Sequence, residues 1–269
     1  MEMNLKNPWV YEELAKPENN THLTDELIDK ILAFPHDALR QDLEQIIRYH
    51  ISLGCDDIPD KYDNETFDGS LFNALMLIAE VGTPDASLDA VLDVMRQSSE
   101  FLECHICDLG HQVFPPTLYK LGQHRLDHLL AFVKEEGVDI YAKCEVFPAV
   151  VQIGLRHPER REEVIEWFRQ VLRFATEDLP EGDAFDSELA GLLVCDIIDL
   201  QAVELKPEID ALFETGLVCE GICGSYASVI RDLSDLRHLG HLEDCILDIH
   251  ERYEEFREPC ENNSNHIYS

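Results

Sequence analysis

YAKCEVFPAVVQIGLRHPERREEVIEWFRQVLRFA, running from Tyr141 to Ala175, changes character at His157-Pro158. Ahead of that break the residues are small or apolar nearly all round, which suits a helix with protein on several sides. Behind it, apolar residues recur three and four apart among Glu and Arg, the pattern of a helix with one wet face. Pro158 fits the start of the second helix, because the N–H it lacks has no partner in a first turn. Pro148 is awkward inside the first. It predicts either a kink or a helix that begins just before the Ala149 run.

The same order recurs along the chain. FDGSLFNALMLIAEVG leads through Gly82-Thr83-Pro84 into DASLDAVLDVMRQ; PPTLYKLG leads into QHRLDHLLAFVKEEG; DSELAGLLVCDIIDLQAVEL leads into KPEIDALFETGLV, where Pro207 suits another helix start. The breaks near Gly82, Gly122, His157 and Ala202 lie about 35 to 45 residues apart, the length of a two-helix repeat that buries its apolar face against the next. Nearer the start, Leu23, Leu27, Ile31 and Phe34, with Thr24 as cap and Pro35 as stop, predict a helix over 24–33. Leu39, Leu43, Ile46, Ile47 and Ile51 predict a second over 36–53. Little reads as strand, so the expected fold is all-α, a HEAT-like α-α superhelix or helical-repeat solenoid.

Ser225 is placed to cap a short helix in SYASVIRDLSDL, and DLPEGDAFDSE reads as the longest surface turn. After Gly240, HLEDCILDIHERYEEFRE predicts a helix whose Leu242, Ile246, Ile249 and Tyr253 cover the last repeat. Residues 1–258 are thus expected to form a single helical-repeat domain, and 259–269 a flexible C-terminal tail.

LFNALMLIAEVG, VVQIGLRHPERREEVIEWFRQVL and LVCDIIDLQAVELKPEIDALFETGLV resemble the uncharacterised bacterial family known as domain of unknown function 1186. The resemblance covers Leu23 to Leu236 and is most specific over Leu189 to Leu217. It implies a bacterial chain and an α-α superhelix related to HEAT repeats, but no reaction and no catalytic residues. ICGSYASVIRDL looks like the family's cysteine-glycine turn, with Ser225 where other members commonly carry an acid. Some relatives append a cysteine-rich SEC-C metal-binding tail; ENNSNHIYS has no such cluster, so the functions of that tail are not carried over.

Fifty-five Asp and Glu against 21 Lys and Arg leave a formal charge of -34 with His neutral. That field repels phosphate backbones and anionic headgroups, which argues against general nucleic-acid or membrane binding while favouring solubility. No apolar run has membrane-spanning length and no basic leader precedes an apolar signal region, so a cytoplasmic protein is expected. Nine irregularly placed Cys then read as reduced, packed thiols.

Two Cys/His sets offer metal chemistry as an alternative. On one helix, Cys104, Cys107 and His111 would share a face, and zinc accepts those ligand types. Cys219 and Cys223 could likewise face His238, His241 and Cys245 across a turn. The competing reading of both sets is buried thiols and turn histidines. Asp108, Glu243 and Asp244 could orient water beside such a metal, although acids are too abundant here for their presence to inform. HExxH, GxSxG and P-loop patterns are absent.

RHPERREEVIEWFR is the one basic island. Arg156, Arg160, Arg161 and Arg169, with Trp167 as an aromatic anchor, form a candidate partner-binding face; the plainer reading is a charged helix face tempered by Glu159, Glu162, Glu163 and Glu166, with Trp167 in the core. The expected function is a cytoplasmic protein-interaction scaffold with an unidentified protein partner and no required cofactor. The alternative is a metal-dependent enzyme, with zinc in one of the Cys/His sets.

Overall fold

The computed structural model describes residues 3–54 and 68–257. Among them are sixteen α-helices, several short 3-10 turns and no strand. No helix is long and apolar enough to cross a membrane. The chain divides into two compact units, Met1–Val81 with Ile246–Ser269, and Gly82–Cys245. The tail expected at 259–269 lies outside the described residues.

The first unit contains α1 (Pro8–Leu14), α2 (Asp25–Leu32), α3 (His36–Leu53), α4 (Ser70–Val81) and the last helix, at Ile249–Arg257. Thr24 caps α2 by accepting from the Leu27 N–H at 3.3 Å. Leu39, Leu43, Ile46 and Ile47 of α3 pack on α4, whose LFNALMLIAEV run is buried over almost its whole circumference. A helix enclosed that far leaves no stripe pattern, which is why its sequence reads as uniformly apolar. Asp42 is wholly buried on α3, yet its carboxylate accepts from the backbone N–H groups of Lys6 and Asn7 at 2.7 and 2.8 Å, so it holds the start of α1. The last helix packs on α4, and its buried Tyr253 hydroxyl donates to Asn73 Oδ1 at 2.8 Å.

The second unit runs α5 (Ala86–Met95), α6 (Ser99–His105), α7 (Gly110–Gly122), α8 (Leu126–Val133), α9 (Ile140–Cys144), α10 (Val146–Arg156), α11 (Arg161–Asp178), α12 (Ser187–Asp199), α13 (Lys206–Glu214), α14 (Glu220–Cys223) and α15 (Tyr226–Asp232), which makes the Ile249–Arg257 helix α16. Packing follows two rows. One is α5, α7, α10, α12 and α14; the other is α8, α11 and α13, with α7 tied to α8 and α10 to α11. Each helix of a row packs on the one a repeat away, the arrangement in which every pair completes the core of its neighbour.

Pro148 is the third residue of α10, within the first turn, so its missing N–H breaks no bond. Pro158 opens a 3-10 turn ahead of α11, and Pro207 is the second residue of α13. Ser225 caps α15 as expected. The DLPEGDAFDSE turn is tied down rather than loose: the Asp178 carboxylate accepts from the N–H groups of Ala184 and Phe185 at 3.0 and 2.8 Å. Lys143, with no exposed surface, donates through Nζ to Glu135 O and, at 2.6 Å, to Ala184 O. Burial lowers its pKa against the pull of Asp178 and Glu135.

Two expectations fail. HLEDCILDIHERYEEFRE is not one helix. Residues 242–244 form a 3-10 turn in the second unit with Leu242 exposed, and a helix resumes only at Ile249. FLECHICDLGHQ is broken as well, since α6 ends at His105 and Cys107 takes a φ of 53°. That left-handed backbone cannot continue a helix.

Candidate binding site

Most donors of the basic island are spent within the second unit, Arg160 Nη1 being the exception. Arg160 donates to Gln123 O at 2.6 Å and to Glu163 at 2.8 Å. Arg161 donates to Leu200 O and Gln201 O at 3.2 and 2.9 Å, and pairs with Glu204 through both Nε and Nη2. Those carbonyls end α7 and α12, where a helix leaves acceptors without backbone donors and a positive charge is favoured. Arg169 is held by Glu166 and Glu208 at 2.6 and 3.2 Å. Trp167 is 3 % exposed and donates its indole N–H to Leu126 O at 2.9 Å, with its ring against Phe168. The aromatic anchor is core, and the arginines stitch one repeat to the next.

The thiols and imidazoles are dispersed too. The bend at Cys107 takes Cys104, Cys107 and His111 off a common helical face, and His111 instead meets Glu145 at 3.1 Å. Cys223 Sγ lies 3.8 Å from Cys219 O, while His238 pairs with Asp232 at 3.5 Å. Among the described residues no three His, Cys, Asp or Glu side chains form a group that could hold a metal ion. Burial pushes the Cys195 thiol up to about 12 and raises Cys144 and Cys223 as well, so these sulfurs stay protonated at neutral pH and are poor nucleophiles.

Besides a more open hollow of about 930 Å³ along the arginine ridge, the second unit holds a cavity of about 440 Å³ on the first row. Asp196 and Asp199, three residues apart on α12, line one side with Leu192. Glu145, Pro148 and Val151 line the α10 side, and His111 reaches in from α7. The remaining wall is an irregular strap, residues 240–245, contributing Gly240, Asp244 and Cys245.

The strap is firmly placed. Gly240 N–H donates to Asp199 O at 2.8 Å, and a Cβ there would stand 3.2 Å from Asp199 Cβ, closer than ordinary side-chain contact. Gln152, itself buried, donates to His241 O at 2.9 Å. Arg156 takes Gln152 Oε1 at 3.0 Å, reaches Leu242 O, and donates to Cys245 O at 2.8 Å. Arg156, expected as a partner contact, is the clamp that closes the cavity.

Asp196 is part-buried and lines the cavity. Neither Asp196 nor Asp199 has a side-chain hydrogen-bond partner among the described residues. Burial raises Asp196 well above the usual carboxylate range, reinforced by Asp199 and Glu145. Asp199 is raised by burial and then by Asp244, with His238 and His241 opposing. Unpaired acids in a half-enclosed cavity are a standing cost in stability, the kind that clusters at functional sites.

No protein-family model, curated protein or solved structure matches this chain. The assignment of a site therefore stands on the geometry.

The sequence reading passed over Glu145, Asp196, Asp199 and the strap. One signal was present: LLVCDIID sets two acids three apart on an otherwise apolar inner helix, where a solvated face is not to be expected. The strap carries none, because its placement depends on Gln152 and Arg156, 86 to 89 residues earlier.

Proposed function

We propose that this chain is a cytoplasmic, non-catalytic helical-repeat scaffold of the family of domain of unknown function 1186, and that it engages a protein partner at the α10–α12 cavity. The observation that carries this reading is the contrast between two surfaces. The arginine ridge has most of its donors committed to helix ends and glutamates, with Arg160 Nη1 the exception, whereas the cavity presents unpartnered carboxyls beside apolar Leu192, Pro148 and Val151. Recognition sites of this kind pair an apolar lining with a few fixed polar groups. Metal-dependent catalysis draws no support from the raised thiols or the dispersed Cys/His sets.

The test is site-specific photo-crosslinking in cells from position 192 and, separately, from position 169. One partner, crosslinked from 192 only and rebinding the purified chain in a defined ratio unless Leu192→Trp fills the cavity, is the expected result. Crosslinking from 169 with no effect of Leu192→Trp overturns the assignment. Stoichiometric zinc in the reduced, purified protein overturns the non-catalytic reading.

A further inference from the structure

The cavity also constrains the chemistry of what enters it, an inference that rests on its being the working site. Asp196 and Asp199 share one face of α12, Glu145 stands opposite at the α9–α10 junction, and Asp244 closes the strap side. Glu145 and Asp244 have partners, His111 at 3.1 Å and the His241 N–H at 2.7 Å. Asp196 and Asp199 have none among the described residues, and both line the cavity.

Three kinds of occupant can be weighed. An anion meets four carboxyl groups and a chain of formal charge -34. A metal ion needs several oxygens converging at about 2.0–2.6 Å, and among the described residues these acids are not so grouped. A space of about 440 Å³ also exceeds what an ion fills, and Pro148, Val151 and Leu192 offer it nothing. An organic cation satisfies both parts of the wall: N–H donors for the two free carboxyls, and an alkyl stem for the apolar residues.

We propose that the cavity binds an organic cation, an alkylammonium or alkylguanidinium head seated between Asp196 and Asp199 of α12 and Glu145 opposite, with its stem against Leu192 and Val151. The same chemistry arrives either on a free amine or on a Lys or Arg side chain of a partner. Binding is linked to protons: a cation favours the ionised form of Asp196, so its arrival expels a proton from the cavity. The other titrating groups around the site are Asp199 and Cys195 on α12, Cys144 and Glu145 at the α9–α10 junction, His111 on α7, and His238, His241, Asp244 and Cys245 on and beside the strap. With so many ionisable neighbours, pH dependence alone does not isolate Asp196.

Calorimetric titration of the full chain at a series of pH values from 5 to 8, in two buffers of different ionisation enthalpy, separates these contributions. The probes are n-butylammonium and n-butylguanidinium, 1-pentanol as a neutral alkyl probe, N-acetyl-lysine amide and N-acetyl-arginine amide, and calcium, magnesium and zinc alone. The cations are expected to bind one per chain, with proton release wherever in that range Asp196 is protonated, and pentanol is not. Asp196→Asn and Asp199→Asn should each weaken binding at least about tenfold, Asp196→Asn should also remove most of the proton release, and Glu166→Gln on the ridge should change neither. Leu192→Phe, which alters no charge, narrows the cavity and should weaken the longer probes should an Asn variant fail to fold. Tighter binding of the acetylated amides assigns the head to a partner side chain; equal or weaker binding assigns it to a free amine.

Pentanol binding as well as the cations overturns the proposal, as do Asn variants that retain full affinity, a metal that displaces the cations, or no cation binding at all. A partner that crosslinks from position 192 while every cation fails sinks this inference and leaves the docking surface standing.

Discussion

Arg156→Ala should unfasten the strap before it unfolds the protein. In the native structure one guanidinium serves Gln152 Oε1, Leu242 O and Cys245 O, with its Cζ 5.7 Å from the centroid of the Tyr119 ring. Truncation removes hydrogen bonds from a charged donor, typically about 1.5–3 kcal/mol each where desolvated. Here Leu242 O is exposed and can turn to water, so its bond counts for little. Cys245 O and Gln152 Oε1 are partly buried. Together they suggest a loss of about 2 kcal/mol in the free energy that holds the strap closed. The loss is local. Hydrogen exchange followed by mass spectrometry should accelerate in 240–245 by about 30-fold, the factor that 2 kcal/mol represents, while α5 and α8 keep their protection. Arg156→Lys retains the charge but not the fork, and should recover less than half. Unchanged protection in 240–245 would refute the clamp.

Three further outcomes follow from the same geometry. Asp196→Asn should stabilise the protein at neutral pH: the folded pKa is raised, so Asp196 favours folding only while protonated and costs stability as pH rises through that folded value. The gain in urea midpoint should therefore be largest above the folded pKa and vanish as pH falls toward the ordinary carboxylate value of 3.8. Lys143→Met keeps the stem but strips the donors from Glu135 O and Ala184 O, costing roughly 2–4 kcal/mol for two carbonyls left without a partner and exposing the 179–186 turn to limited proteolysis. Trp167→Ala should cost about 3–5 kcal/mol by urea denaturation at a site 3 % exposed, and at temperatures where it remains folded it should bind n-butylguanidinium as the native chain does.

The helices were legible because their signals are local. Thr24, Pro35, Pro158, Pro207 and Ser225 each act within one turn, and apolar spacing reports burial without reference to what covers it. The row packing was legible in outline because a repeat's partner is another repeat. The misreadings share a different cause. Cys107 was placed on a helix by spacing, yet its backbone turns left-handed where α6 gives way to α7, and periodicity does not register φ. Leu242 was given to a packing face by the same rule, although its segment is held by Arg156 and Gln152 from α10. The arginines looked like a binding face because a sequence shows charge but not the carbonyl that satisfies it. Asp196 was concealed in the opposite way, since only the fold shows that an acid among 55 lacks a partner.

The most direct test of the cavity is a two-dimensional amide NMR titration of the full chain with n-butylguanidinium. Shifts concentrated at Glu145, Leu192, Asp196, Asp199 and the 240–245 strap, and lost in Asp199→Asn, are the predicted result. Shifts centred on Arg160 to Arg169, or a spectrum that does not move, would contradict it.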